Sequence, residues 1–98
     1  MRLRLFLPTT LAFAMTAWPV MAQPDGPMLA EACAGCHGQA GAGQGAIADL
    51  RGYDRQTFLR VWTEFAADER PATIMNRIAR GYTEAEVEAL ADFFSSLE

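Results

Sequence analysis

The 98-residue sequence predicts an all-α protein with one small domain. Two segments in the second half carry apolar residues at helical spacing, and no segment alternates apolar and polar residues as a half-buried strand does. The first 22 residues have the composition of an export signal, which leaves residues 23–98 for folding. That length is below the roughly 80 residues at which a hydrophobic core alone suffices. We therefore expect short helices packed around an additional stabilising group.

Residues 1–22 are predicted to be a signal peptide. Arg2 and Arg4 begin a largely apolar stretch, and Val20-Met21-Ala22 resembles a small-residue cleavage site. The apolar stretch contains Pro8 and is shorter than the about 20 apolar residues of a membrane span. We expect cleavage before Gln23 and a periplasmic protein without stable membrane insertion, with an uncleaved anchor as the alternative.

The predicted mature chain is acidic. Removal of the two arginines of the signal lowers the net charge from −4 to −6, and the chain contains no lysine. Nucleic-acid binding requires a basic footprint, so this charge argues against nucleic acid as a partner. It suggests instead that the protein docks onto a basic surface.

The first predicted helix runs from Met28 into the motif Cys33-Ala34-Gly35-Cys36-His37 and ends at Gly38. A C-x-x-C-H run in an exported chain is typical of covalent haem c attachment. Residues three apart share a helix face, so Cys33 and Cys36 can each form a thioether to the same porphyrin. His37 is then the predicted proximal ligand of the iron.

The motif has two other interpretations. A thioredoxin-like redox pair requires a βαβ pattern, and no strand-like segment follows. A structural zinc site requires four ligands, usually Cys or His. The chain has only two cysteines and one histidine, so zinc would be one ligand short.

Residues 38–45 are too rich in glycine for the interior of a helix or strand. We interpret them as a loop whose backbone passes close to a bulky group, with the porphyrin edge the favoured neighbour. An ordinary flexible loop is the alternative.

A second helix is predicted to begin after Asp54, a good N-cap residue. Its apolar stripe is Phe58, Val61, Trp62, Phe65 and Ala66. Pro71 ends that region, and residues 73–81 form a connection. The final helix opens with the capping box Thr83-Glu84-Ala85-Glu86. Its apolar face consists of Val87, Leu90, Ala91, Phe94 and Leu97.

Three aromatic residues have polar groups that can hydrogen-bond a haem propionate: Tyr53, Trp62 and Tyr82. Trp62 lies on the apolar stripe, so core packing is the better interpretation for it.

The sixth position on the iron can take His, Met, Lys, an amine or an external ligand. His37 is the only histidine, lysine is absent, and Gln23 as a new N-terminus is prone to cyclise. Of the two methionines in the mature chain, Met28 lies on the same helix as the proximal ligand. We therefore predict Met75 as the distal ligand; a thioether there favours reduced iron and raises the reduction potential.

Together, the haem motif, a distal Met75 and a capped C-terminal helix resemble a class I cytochrome c over residues 28–97. Residues 70–87 and the Cys-Ala-Gly-Cys-His-Gly opening closely resemble the haem subunit of flavocytochrome c sulfide dehydrogenase. This resemblance implies an electron-transfer protein with one covalent haem c, not catalytic alone, that receives electrons from a sulfide-oxidising flavoprotein.

Two other functions remain to be distinguished from this one. The first is a free periplasmic carrier between a membrane complex and a terminal oxidase, reductase or reaction centre. The second is a ligand-binding or sensing haem, which requires an open sixth position and is disfavoured by Met75.

The chain departs from the class I pattern in one place. Class I cytochromes usually have a proline before the loop leucine, and its carbonyl accepts a hydrogen bond from the proximal histidine. Here Ala48 stands at that position. Any residue supplies a backbone carbonyl, so we expect the bond to persist in a softer loop.

Overall fold

The computed structural model describes residues 12–19 and 22–98. Within these ranges, five α-helices account for most of the regular structure: α1 (Gly26–Glu31), α2 (Ala34–His37), α3 (Arg55–Ala66), α4 (Met75–Ile78) and α5 (Glu84–Ser95). Two 3₁₀ turns lie at Gln39–Gly41 and Ala79–Gly81. The described residues contain no strand beyond an isolated bridge between Gln44 and Ile47. The predicted all-α, single-domain class is confirmed.

The predicted leader lies partly outside the described residues. Residues 12–19 are exposed and have no regular structure, while residues 1–11, 20 and 21 are not described. The signal peptide at residues 1–22, and the domain boundary after it, therefore stay predictions. Within the described ranges, no helix combines the length and hydropathy needed to cross a membrane.

α1 begins two residues earlier than predicted. The side chain of Asp25 caps it by accepting a hydrogen bond from the Met28 N–H at 3.4 Å. Pro27 sits in the first turn, where its fixed φ favours the helix and its missing N–H costs nothing. The backbone stays helical through Ala32 and Cys33 into α2, and it leaves the helical region at Gly38, where φ is 86°. The predicted end at Gly38 is confirmed.

α1 crosses α5 at close range. A Cβ built on the buried Gly26 would lie 2.6 Å from the carbonyl oxygen of Ala89 and 3.1 Å from the Cβ of Phe93. Only glycine permits this approach. The crossing anchors the haem motif, which follows α1 directly, to the C-terminal helix.

Both long helices form as predicted and carry the predicted caps. Asp54 accepts a hydrogen bond from the Thr57 N–H at 2.9 Å. At α5, Thr83 and Glu86 exchange reciprocal hydrogen bonds of 3.2 and 2.8 Å. These caps fix where each apolar stripe begins.

The core lies where α1, α3 and α5 meet. The ring of Phe58 stacks on Trp62 at 5.8 Å and on Phe94 at 5.9 Å, measured between ring centroids. The buried apolar residues are Ala30, Phe58, Trp62, Ala79, Val87, Leu90, Ala91 and Phe94. Leu97, predicted on the apolar face of α5, is half-buried at the edge of this core.

The segment between α3 and α5 differs from the prediction. α3 ends at Ala66, five residues before Pro71, and Asp68 beyond it has a left-handed φ of 59°. Residues 73–81 are not only a connection, because they contain α4 and a 3₁₀ turn. Four helical residues make little more than one turn, which is too short to show an apolar period.

The glycine-rich loop packs against α5. A Cβ on Gly41, whose φ is 73°, would lie 2.6 Å from the Cε1 atom of Phe94 and 3.1 Å from the Cβ of Leu50. The backbone N–H of Leu50 donates to the Gly41 carbonyl at 2.7 Å. The backbone does pass close to a bulky group, as predicted, and at Gly41 that group is Phe94.

Candidate functional site

The C-x-x-C-H motif forms one turn of helix. The N–H groups of Cys36 and His37 both donate to the carbonyl of Cys33, at 3.2 and 2.9 Å. Cys33 is half-buried against the core and Cys36 is exposed. The sulfurs are not joined in a disulfide. Two free thiols one helical turn apart suit attachment to two points on the same macrocycle.

The environment of Cys33 does not resemble that of a redox-active thiol. Burial raises the pKa of the Cys33 thiol above its ordinary value. Catalytic and redox-sensing cysteines sit where the thiolate is stabilised and the pKa is lowered. This contrast disfavours the thioredoxin-like interpretation of the motif.

The ring of His37 is oriented by the loop that follows it. Its Nδ1 atom lies 2.7 Å from the carbonyl oxygen of Ala48. A carbonyl can only accept, so Nδ1 carries the proton and Nε2 keeps a lone pair. This is the tautomer required of a neutral imidazole ligand whose other nitrogen is held by a hydrogen bond. The bond expected at Ala48 in place of proline is confirmed.

Several backbone hydrogen bonds fix the position of the Ala48 carbonyl. The Gly43 N–H donates to the carbonyl of His37 itself, and Gln44 and Ile47 pair reciprocally at 3.1 and 2.9 Å. Two residues after Ala48, the Leu50 N–H donates to the carbonyl of Gly41. The loop is thus tied back to the motif at one end and to α5 through Gly41 at the other.

The two methionines of the predicted mature chain have different surroundings. Met28 lies on α1 with 66% of its surface exposed. Met75 is the first residue of α4, is half-buried and packs against the core. The side chain of Met75 therefore already faces the interior, whereas that of Met28 faces solvent.

Trp62 uses its polar atom inside the protein. Its Nε1–H donates to the carbonyl of Ala79 at 3.1 Å, and its ring meets the Tyr82 ring edge-on at 5.2 Å. The core-packing interpretation of Trp62 is confirmed. Tyr53 meets Phe58 edge-on at 6.1 Å.

Tyr82 is half-buried and packs against the core. Burial raises the pKa of its hydroxyl above the ordinary value.

A cleft of about 400 Å³ lies between the flanks of α3 and α5. Its walls include Leu59, Trp62 and Tyr82, and none of the four predicted haem-binding residues lines it. Within the described residues, no group of three His, Cys, Asp or Glu side chains is placed to hold a bare metal ion.

A sequence profile described as cytochrome c matches residues 25–98. The chain belongs to the cytochrome c family. The match begins at the N-cap of α1 and runs to the last residue, so it covers every described helix. Members of this family carry covalently bound haem c, and this chain has the size of a protein with one haem.

The residues of this cytochrome fit that group. Two unpaired thiols stand one helical turn apart, and the adjacent histidine has Nε2 free and its ring held by Ala48.

Three curated relatives are similar to this cytochrome. The cytochrome subunit of sulfide dehydrogenase from Chlorobaculum tepidum is 32% identical over 89 residues, which cover 91% of this chain and 81% of that protein. The thiosulfate dehydrogenase electron acceptor of Stutzerimonas stutzeri is 35% identical over 69 residues. Cytochrome c-552 of Acidithiobacillus ferridurans is 36% identical over 66 residues. This chain spans only about a third of the latter two, at 32% and 29% of their lengths.

Proposed function

We propose that this cytochrome c is exported after cleavage of residues 1–22 and works in the periplasm as the haem subunit of a sulfide-oxidising complex. It accepts electrons from a flavoprotein and is not catalytic alone. The observation that carries the proposal is the similarity to the sulfide dehydrogenase subunit, which spans 91% of this chain and 81% of the relative. That coverage matches the whole cytochrome domain rather than a shared motif.

In this proposal, four residues hold the haem: Cys33 and Cys36 through thioethers, and His37 and Met75 through the iron. When bound, the haem supplies an iron that takes up and releases one electron. The chain keeps the ring of His37 in one orientation through Ala48, which is part of a loop fixed at both ends. Met75 supplies a thioether, which raises the reduction potential relative to a second imidazole.

The surface around α4 suits a stable partner. Ile74, just before Met75, is 53% exposed, and Ile78 at the end of α4 is 37% exposed. Stable subunit interfaces have an apolar core with few charges, so we propose that the flavoprotein covers the region around Ile74 and Ile78.

The alternative function is a freely diffusing carrier. The similarity to the thiosulfate dehydrogenase electron acceptor favours it, because that protein is named as an acceptor and not as a subunit. A diffusing carrier docks through exposed charges in short encounters, and salt weakens these encounters.

The test is to purify the protein from its native periplasm at low and at high ionic strength and to add sulfide to each fraction. A flavoprotein that co-purifies at both salt concentrations, and is required for haem reduction by sulfide, supports the subunit function. If no flavoprotein co-purifies and reduction by generic donors falls steeply with salt, the free-carrier function is correct. Intact-mass spectrometry of the same material tests export, with the mass of a haem-loaded chain that begins at Gln23, cyclised or not, as the expected result.

A further inference from the structure

The segment that carries Met75 is tied to the end of α3 by three side chains. Trp62 on α3 donates to the Ala79 carbonyl at 3.1 Å. The other two ties converge on Asp68, just beyond α3, which receives hydrogen bonds from Asn76 and Arg80. We call Asp68, Asn76 and Arg80 the Asp68 clamp.

Asp68 occupies both of its carboxylate oxygens in this clamp. Oδ1 accepts from the Asn76 Nδ2 at 2.9 Å, and Oδ2 accepts from an Arg80 terminal nitrogen at 2.8 Å. Arg80 also donates through Nε to the carbonyl of Ala66, the last residue of α3, at 3.0 Å. Asp68 and Arg80 together therefore link Asn76, the residue after Met75, to the C-terminal end of α3.

The backbone at Asp68 is held in an unfavourable conformation to make these contacts. Its φ is 59°, a region that costs free energy for residues other than glycine, although Asp and Asn tolerate it best. The Asp68 N–H donates to the Phe65 carbonyl at 3.2 Å in the reversed turn. The reversal directs the carboxylate toward α4.

The contact with Asp68 leaves the other polar atom of the Asn76 side chain without a hydrogen bond. With Nδ2 on Asp68, its Oδ1 atom is buried and has no hydrogen-bond partner among the described residues. A buried acceptor without a partner is destabilising. The amide nevertheless keeps this orientation, because the Asp68 carboxylate can only accept hydrogen bonds and the donor of the Asn76 amide is its nitrogen. The Asp68 contact therefore fixes the side chain that immediately follows Met75.

α4 has little stability of its own. It is four residues long, and its N-cap, Ile74, provides no side-chain hydrogen bond. Isolated helices of this length do not persist in water. The position of Met75 is thus set by the contacts that the segment makes with α3.

We propose that Asp68 is a positioning residue for Met75. Through Asn76 and Arg80, it holds α4 in place and so keeps the Met75 thioether at the iron against competing ligands. This inference rests on the proposed function, in which Met75 is the sixth ligand.

The experiment measures ligand competition in the oxidised haem-loaded protein. Imidazole is titrated against the wild type, Asp68→Gly and Asp92→Ala, and the charge-transfer absorption band of sulfur bound to ferric iron reports Met75. Asp68→Gly removes the carboxylate and also relieves the left-handed strain, so loss of global stability is minimised. Asp92 is the matched control, because its side chain is 63% exposed against 61% for Asp68 and, among the described residues, it pairs with Arg55 and with no residue of α4.

We expect Asp68→Gly to bind imidazole about three- to tenfold more tightly than the wild type, which is the scale of losing two exposed charged contacts. Asp92→Ala should match the wild type. Asp68→Asn, which keeps one acceptor oxygen, should lie between. If all variants bind imidazole equally while the wild type shows the sulfur band, the positioning role is wrong and Met75 ligation stands. A wild type without the band overturns Met75 ligation, and the positioning role with it.

A double-mutant cycle with Asn76→Ala separates positioning from general stability. If Asp68 acts through Asn76, the effect of Asp68→Gly on imidazole affinity should be smaller in the Asn76→Ala background than in the wild type. Full additivity of the two substitutions would refute that route.

Discussion

The Nδ1 atom of His37 lies 2.7 Å from the carbonyl oxygen of Ala48, eleven residues further along the chain. The haem motif alone therefore does not set the orientation of the proximal ring. A loop with its own hydrogen bonds to His37 and to Gly41 places the acceptor. The properties of the proposed iron ligand consequently depend on a loop outside the haem motif.

Ala48→Gly should raise the reduction potential of the haem-loaded protein. A more mobile carbonyl weakens the hydrogen bond that increases the basicity of the histidine ligand. Ala46→Gly is the control, because it introduces the same freedom in the same loop without touching the acceptor. Each substitution should lower the free energy of unfolding by about 0.4–1 kcal/mol. Equal potentials in a redox titration of the two variants would contradict the role of the Ala48 carbonyl.

Met75→Ala should retain covalent haem and lose the sulfur ligand. We expect a lower reduction potential, because the preference of a thioether for reduced iron is removed. The iron should also bind carbon monoxide or cyanide, because its sixth position is left open. Met28→Ala, which changes an exposed methionine on α1, should match the wild type in both measurements. A Met75→Ala protein with the wild-type potential and no ligand binding would show that another group occupies the sixth position.

Gly41→Ala should destabilise the protein more than Gly45→Ala. Both glycines have positive φ, at 73° and 56°, so both substitutions carry a backbone cost of roughly 1–2 kcal/mol. Only at Gly41 would the new Cβ meet Phe94, at 2.6 Å, while nothing lies within 4 Å at Gly45. Overpacking adds about 1–3 kcal/mol to the Gly41 variant. Denaturant unfolding of the two variants should show that difference, and equal stabilities would mean that the loop does not pack on α5.

Asp54 should make the stability depend on pH in the acid range. The hydrogen bond from the Thr57 N–H lowers the pKa of Asp54 below its ordinary value of 3.8. A carboxyl group whose pKa is lower in the folded state stabilises it above the unfolded pKa, and this contribution is lost as pH falls through the folded value. Asp54→Asn keeps an N-cap oxygen without the titration.

Urea unfolding of both proteins at a series of pH values tests this expectation. The stability advantage of the wild type over Asp54→Asn should be constant near neutral pH and shrink below pH 3.8. A difference that stays the same down to the lowest pH would show that the carboxylate charge is not part of the cap.

Sequence reasoning succeeds here where structure depends on neighbours within a few residues. The caps at Asp54 and Thr83 and the two long apolar stripes are local patterns, and both helices form as predicted. The haem motif is also local, being one turn of helix. Met75 comes from a different argument, the elimination of other ligand types, and its role as a ligand stays a prediction; the structure shows that it packs half-buried against the core.

The features that could not be predicted depend on contacts between distant residues. Gly41 must be a glycine because of Phe94, and Gly26 because of Ala89, and neither pair is visible in a sequence window. The chain reverses at Asp68, and this conformation is stabilised by the two hydrogen bonds that Asn76 and Arg80 donate to its carboxylate. α4 is too short to produce a period, so its existence depends on such tertiary contacts.

The crossing of Gly26 and Ala89 determines when, during folding, this protein can complete its core. α1 and α5, near the two ends of the cytochrome domain, must meet before the buried face of α1 can pack against another element. Closing so long a loop costs chain entropy that only the finished contact repays. Both cysteines of the motif precede α5 in the chain, so they are synthesised before the helix that packs against α1. Both thiols therefore remain open to attachment until α5 is in place.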